Sequence, residues 1–325
     1  LTELLPEPRW PGLIWGYDIV AGRAGAPGDE LPPGGFRWLH IALSDQRALA
    51  WIAARDDLPP LVREVLLSAD DHPRALIDDS GIIACVIHDN GRAFDGEEDV
   101  LRGLRFVLTP DLMLTARHHP VRCADLVRRR FESGAGPANA AAALDLLIST
   151  SIAEANGRLQ ELSARLRTME DALVDHEREP EARSLRRLRR RAVHIHRQAG
   201  GLHAILARLE EDEALPEPLL PPVERLIQRA AGLEGDVAGL IGQERQLREE
   251  LAALAGNRTN RNLYVLSLMT ALMLPPTLVA GLFGMNTGGL PFAHAPHGTL
   301  IAVLLASAST LATYLLLRGI GFFRS

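Results

Sequence analysis

The sequence contains no lysine, so all 35 of its formal cations are arginine. Against 41 carboxylates they leave a net charge of −6. A chain without a basic excess is poorly suited to a phosphate backbone, and nucleic acid is not an expected partner. Cysteine is scarce. Cys85 and Cys123 are far apart, sit in apolar surroundings and form no Cys-x-x-Cys pair. This argues against a disulfide framework or a zinc knuckle, and the expectation is two buried, reduced thiols. The opening LTELLPEPRWPG lacks a basic stretch followed by an apolar one, so no secretory leader is expected. No Walker A loop, Ser-His-Asp or Cys-His set, or paired-carboxylate signature can be assembled. Neither an enzyme nor an ATP-driven machine is expected, and no cofactor.

The most informative absence is local. Asn262–Leu317, 56 residues, holds no Asp, Glu, Arg or Lys in a chain that is 23% charged. Of 76 formal charges, only Arg318 and Arg324 lie beyond Arg261. A wholly soluble globular protein is therefore excluded. Leu263–Phe283 and Thr299–Leu317 are apolar runs of 21 and 19 residues. As helices they reach about 31 and 28 Å, against a hydrocarbon core of about 30 Å. Between them GMNTGGLPFAHAPHG, residues 284–298, is rich in Gly, Pro and His and marks a loop. Arg258 and Arg261 precede the first span, Arg318 and Arg324 follow the second, and the loop has no cation. The positive-inside rule then places both termini in the cytoplasm and the loop outside.

Upstream, residues 1–132 carry the pattern of a cytoplasmic α/β domain. Strand-like runs are Leu13–Val20, Phe36–Ala42, Ile82–His88, Arg105–Leu108 and Leu112–Ala116, the last two forming a hairpin. Helical runs are Asp45–Arg55, Leu61–Ser68, opened by Pro59-Pro60, and Ala124–Phe131. Residues 133–221 change to a helix hairpin and 222–262 to a stalk helix, leading into a transmembrane hairpin at 263–325.

Three heptad seams carry the coiled-coil-like part. One is Ile152, Ala155, Leu159, Leu162, Leu166, Met169 and Leu173; the next runs from Leu185 through Leu188, Ala192, Ile195, Ala199, Leu202 and Leu206 to Leu209. The third is Leu226, Ala230, Leu233, Val237, Leu240, Glu244, Leu247, Leu251 and Leu254. HEREPE (176–181) turns the first into the second, and the proline-rich run 216–222 separates the third. That helix meets no proline before Pro275, so it extends as one rod into the first span, and homo-oligomeric packing is the simplest cover for its seam. Gly232, Gly235, Gly239 and Gly242 form a separate stripe, expected to admit another helix such as the hairpin. The arginine run 182–191 is expected to be a solvated face paired with Glu210–Glu213 or with Glu170 and Asp171.

The first span ends Pro275-Pro276-Thr277…Gly281-Leu282-Phe283-Gly284-Met285-Asn286, then Thr287-Gly288-Gly289-Leu290-Pro291. Gly-Met-Asn at the outer end of the penultimate span, in this architecture, resembles the CorA-type divalent cation transporters. The neutral Gly-Gly-Leu-Pro that follows is similar to the ZntB-like zinc branch, as are Trp38-Leu39-His40 and His72-Pro73-Arg74. The resemblance implies a homopentamer with a cytoplasmic funnel, held in membrane lipid of the inner membrane. It also implies an axial pore lined by five first spans, with Asn286 at the outer mouth.

The residues suit that role. A ring of neutral Asn286 oxygens can hold the water shell of a divalent ion without the tight grip of carboxylates. Gly284 lets the chain leave the helix, and Met285 is expected to pack. Stepping back at helical spacing gives Gly281, Thr277, Leu274, Thr270, Leu266 and Leu263 as the pore-lining stripe. Thr277 is expected to hydrogen-bond to hydrated ions, Thr270 to its own backbone, and the leucines to gate by dewetting. Pro275-Pro276 is expected to kink the helix.

His294 and His297 in the outer loop are candidate zinc ligands or pH-sensitive groups. Asp70-Asp71-His72 is a weaker chelating candidate. His194 and His196 face apart, His196 and His203 are too distant for one ion, and His118-His119 are expected at the surface. Glu249 and Glu250 stand where they could concentrate cations. The function expected is transport of divalent cations, Zn2+ first. The alternatives are a Mg2+, Co2+ or Ni2+ channel of the same type, or a membrane-anchored coiled-coil scaffold or sensor.

Overall fold

The computed structural model describes residues 9–91, 100–174, 182–285 and 297–320. The chain divides into two units, Leu1–Leu247 and Arg248–Ser325.

The first unit is built on a sheet of seven strands: β1 (Leu13–Val20), β2 (Arg23–Gly25), β3 (Phe36–Ala42), β4 (Arg74–Ile77), β5 (Ile83–Asn90), β6 (Leu101–Leu108) and β7 (Leu112–Arg117). Their order is β2-β1-β3-β7-β6-β5-β4. The β3–β7 pair is parallel; the other neighbours are antiparallel. β1, β3 and the β6–β7 hairpin fall where the sequence pattern puts them. β6 starts at Leu101 rather than Arg105, and β5 runs on to Asn90. The edge strands β2 and β4 have three and four residues, too short to show a period.

Both sheet faces are covered, which is why β5 reads as an unbroken apolar run, with Ile83 through Ile87 fully buried. On one face Leu39, Ile41, Val86, Val107 and Leu114 pack with Ile52 of α1 (Gln46–Ala53) and Val62 and Leu66 of α2 (Pro60–Leu67). The Asp45 carboxylate caps α1 by accepting the Arg47 N–H at 2.9 Å. Pro60 opens α2, where a missing amide donor costs least.

Alternate residues point to the other face, toward α3 (Arg122–Glu132). Here the Trp38-Leu39-His40 run proves to be core. Trp15 stacks on His40 with centroids 4.9 Å apart, and Phe131 meets Trp38 edge-on at 5.2 Å. Thr115 Oγ1 donates to the Leu39 carbonyl at 3.1 Å and accepts from Trp38 Nε1 at 3.1 Å. With that proton committed, His40 Nδ1, 2.9 Å away, must donate to Thr115. Burial and then Arg117 push His40 down to about 3, so it stays neutral.

The helical part comprises α4 (Ala140–Val174), α5 (Ala182–Glu211), a 3-10 turn at Glu217–Leu219, and α6 (Leu220–Gly284). The HEREPE turn lies outside the described residues. All eight seam residues of α5 are buried. In α4 the seam is buried from Ile152 to Leu166 and half-buried at Met169 and Leu173. In α6 it is buried from Leu226 to Leu247, then Leu251 is half-buried and Leu254 exposed. The seam thus emerges where the two units divide.

One expectation is corrected here, and the solvated arginine run gains a partner. A Cβ on Gly232, Gly235, Gly239 or Gly242 would meet nothing within 4 Å, so among the described residues no helix of the same chain approaches that stripe. Contacts to the hairpin lie elsewhere on α6, where Glu234 meets His203 at 3.0 Å and Arg225 meets Asp145 at 3.0 Å. The arginine run also has an unforeseen partner. Arg189 lies 3.9 Å from Glu244, the one carboxylate inside the α6 seam.

Candidate ion path in the C-terminal unit

Beyond Leu247 the character of α6 reverses: its large apolar side chains face outward. The apolar windows of α6 and of α7 (Gly298–Gly319) have mean hydropathies of 1.8 and 2.1, with 0% and 6% of those windows buried. Core helices of a soluble domain would be covered, whereas exposed apolar rods of this length require lipid or protein around them.

The exposure on α6 has a helical period. Tyr264, Leu268, Leu272, Pro275, Val279 and Phe283 form a half-buried face. Leu263, Leu266, Thr270, Leu274, Thr277 and Gly281 share the opposite, exposed face, with Leu274 at 67% exposure. α7 has a half-buried face of its own, through Ile301, Ala302, Ala306, Ser309, Thr313 and Leu317. The stripe singled out in the sequence is therefore one continuous, uncharged face that α7 leaves open. Met269 and Met273 join Thr270, Leu274 and Thr277 around a shallow groove of about 350 Å3. The sequence reading passed over these methionines; their i−1 and i+3 positions relative to Thr270 were the available signal.

Five hydroxyls of the two apolar helical stretches bond to their own helix backbone, as lipid requires. Thr270 Oγ1 donates to Leu266 O at 2.9 Å and Thr277 Oγ1 to Met273 O at 2.6 Å. In α7, Ser309, Thr310 and Thr313 do the same with Ala306, Ala306 and Ser309. Thr270 thus behaves as expected, and the Thr277 proton is also committed to the backbone. What Thr277 offers outward is an acceptor oxygen, the right polarity for the outward-pointing protons of an ion's water shell. α6 continues through Pro275 and Pro276. Because proline has no N–H, the carbonyls of Ala271 and Leu272 lose their intrahelical donors.

At the end of α6, Gly284 is the last helical residue and the Met285 N–H bonds to Gly281 O at 3.1 Å. Met285, expected to pack, is 61% exposed. Asn286, the Thr287–Pro291 segment and His294 lie outside the described residues. His297 occupies the N-cap position of α7 and makes no side-chain capping bond there. Arg318 in the last turn complements the helix dipole.

Among the described residues no group of three or more His, Cys, Asp or Glu side chains is placed to hold a metal ion. The Asp70-Asp71-His72 turn is held by other bonds. Asp70 Oδ1 lies 2.5 Å from His72 Nδ1, and this contact holds its carboxyl below the usual range. Asp71 Oδ1 instead accepts from the fully buried Arg105 at 2.9 Å. His119 is exposed, whereas His118 is half-buried, and burial lowers its pKa.

A family model described as "CorA-like Mg2+ transporter protein" matches residues 33–318. The chain is 27% identical over 260 residues to the zinc transport protein ZntB of Yersinia enterocolitica, covering 78% of each chain. It superposes on the full-length CmaX protein with a TM-score of 0.80 at 24% identity, covering 96% of this chain and 98% of that one. The CorA magnesium transporter of Methanocaldococcus jannaschii gives a TM-score of 0.77 at 14% identity, with coverage of 94% and 98%.

Proposed function

This chain belongs to the CorA-like Mg2+ transporter family, a family of divalent cation transporters, and on that premise we propose that its cargo is Zn2+, carried across the inner membrane. Self-association supplies the pore: five copies of the first span line an axis, and Asn286 carbonyl oxygens ring its outer mouth. The observation that carries this reading is the uncharged stripe from Leu263 to Gly281. It is exposed on the side opposite the half-buried face of α6 and leads directly into Gly284-Met285-Asn286. With no fixed charge to bind it tightly, a hydrated divalent ion can enter and leave. Thr277 supplies an acceptor part-way along, and Leu263, Leu266 and Leu274 supply apolar constrictions.

Zinc is favoured over magnesium by the neutral Gly288-Gly289-Leu290-Pro291 loop and by relatives named as zinc transporters. His294 and His297 add imidazoles near the mouth, suited to Zn2+. Both termini lie in the cytoplasm and the outer loop, 284–298, lies outside, as the arginine placement dictates. The family's description as a Mg2+ transporter supports the rival cargo.

The test is flux into liposomes holding the purified protein, with a zinc-sensitive dye inside and Asn286→Ala in parallel. Zinc entry that the variant abolishes is the expected result. Entry of Mg2+ or Co2+ without Zn2+ would overturn the zinc assignment and keep the pore. No flux of any ion from well-folded oligomers would overturn the transport reading.

A further inference from the structure

Asp89, near the end of β5, is fully buried. Its Oδ2 accepts the Cys123 N–H at 2.7 Å, in the first turn of α3. Val121, the N-cap residue of α3, gives that turn no side-chain bond, so a strand carboxyl does the capping. Its Oδ1 has no hydrogen-bond partner among the described residues.

The groups around it divide in sign. α4 brings Glu154 and Arg158, which form a pair at 3.1 Å, and Arg122 of α3 reaches Glu154 at 3.4 Å. α3 also supplies the buried Cys123 thiol and Asp125, 3.9 Å from Arg117 of β7. Arg102 stands opposite Asp89 on β6. α5 contributes Gln198, which holds Arg158 and, at 3.1 Å, Ser151; His194 sits one turn earlier, and Arg197 acts on His88. Desolvation is the largest influence on Asp89. The Cys123 and Asn90 amides oppose it, Glu154 adds to it and Arg158 subtracts, and the carboxyl ends up at about 7.

We propose that Asp89 is the proton-binding group of a latch that seats α3 and α4 on the sheet. Protonated, the carboxyl is closed over without a buried charge. Ionised, it favours lifting of α3 and α4, which lets water reach Oδ1 and separates it from Glu154. The direction follows from linkage. A carboxyl raised in the closed state stabilises that state at low pH, and the stabilisation is lost as pH rises through the raised value. Through Arg158 and Gln198 the movement reaches α5, so the pH around this domain sets the packing of the hairpin. The inference is independent of which ion is carried.

The test is hydrogen–deuterium exchange of the purified full-length protein, corrected for intrinsic rates. Between pH 6 and pH 8 the protection of the α3 amides is expected to fall about tenfold, one pK unit of linkage for a group near 7 that opens to an ordinary carboxyl. Asp89→Asn should hold protection at its low-pH level throughout. Glu154→Gln, which removes the like charge, should move the midpoint to lower pH. Protection in the unsubstituted protein that stays flat from pH 6 to pH 8 would overturn the latch even if Asp89→Asn failed to fold. A pH-dependent fall that persists in Asp89→Asn would overturn the assignment to this residue.

Discussion

Arg37 grips Asp18 with two hydrogen bonds, Nε to Oδ1 at 2.6 Å and Nη2 to Oδ2 at 2.8 Å, across registered positions of β3 and β1. Both side chains are largely buried, at 13% and 7% exposure. The pair locks β1 to β3, inside the edge strand β2, and ties down Gly28, whose N–H also reaches Asp18 at 2.8 Å. Burial alone would raise the Asp18 carboxyl, but the bonds from Arg37 and Gly28 win and hold it below the usual range. Arg37→Ala leaves a buried carboxylate unpaired and should cost about 3 kcal/mol. Thermal unfolding of the purified protein should show a melting temperature lower by roughly 10 °C. Because the folded-state pKa is depressed, the pair's stabilisation is present above the ordinary carboxylate range and lost as pH falls through it. The loss of melting temperature caused by Arg37→Ala should therefore shrink in strong acid.

Glu244 makes the opposite case. It occupies a core position of the α6 seam between Leu240 and Leu247, at 1% exposure, with Arg189 at 3.9 Å. Arg189 is half exposed, so the desolvation cost falls on the Glu244 carboxylate; that cost commonly offsets the attraction, and an apolar replacement of similar bulk is tolerated. Glu244→Leu should leave the melting temperature unchanged or raise it. Glu244→Ala, which opens a void in the seam, should lower it by several degrees. A large loss in Glu244→Leu would show instead that the charge itself holds the helices in register.

What the sequence made legible were features with long periods. Phe36–Ala42 is an apolar, aromatic run bounded by Gly34-Gly35 and Ser44-Asp45, enough to place β3 to the residue, and the α5 seam repeats over eight positions, all of them buried. The spans were legible because 56 consecutive uncharged residues have few soluble solutions. What escaped depended on contacts between distant residues. β4 is only four residues long and exists because Val86, Cys85, Ala84 and Ile83 pair with it. Glu244 was visible as a seam position, but its partner 55 positions earlier was not. Asp89 gives no local signal, since its environment is assembled from α3, α4 and the neighbouring strands. Along α6, helical spacing counted back from Asn286 found the middle of the exposed face and stepped past Met269 and Met273, which lie to one side of that line.

Leu274 is the most exposed leucine of the stripe, whereas Leu272 sits on the half-buried face of the same helix. If the stripe lines a pore that closes by dewetting, a polar side chain at Leu274 should wet the constriction. Leu274→Asn is expected to raise resting zinc entry into liposomes severalfold and to weaken discrimination among divalent ions. Leu272→Asn should reduce the yield of folded oligomer and leave flux per oligomer within about twofold, since an amide there disturbs helix packing in lipid. The reverse pattern would assign the pore to the other face of α6.

The two cysteines allow topology to be read without first removing them. Cys85 and Cys123 are fully buried, and burial pushes both thiols upward, so neither supplies a reactive thiolate in the folded protein. A membrane-impermeant maleimide should leave the unsubstituted protein unlabelled in intact cells and in inverted vesicles. Ala295→Cys, in the loop between the spans, should label from outside in intact cells, because that loop has no arginine while Arg258, Arg261 and Arg318 flank the two apolar runs, the pattern the positive-inside rule reads as cytoplasmic flanks. Ser325→Cys should label only in inverted vesicles. Both sites labelling from the same side would mean that one apolar helix does not cross, and with it would go the pore mouth at Asn286, which needs α6 to reach the outer surface and α7 to return.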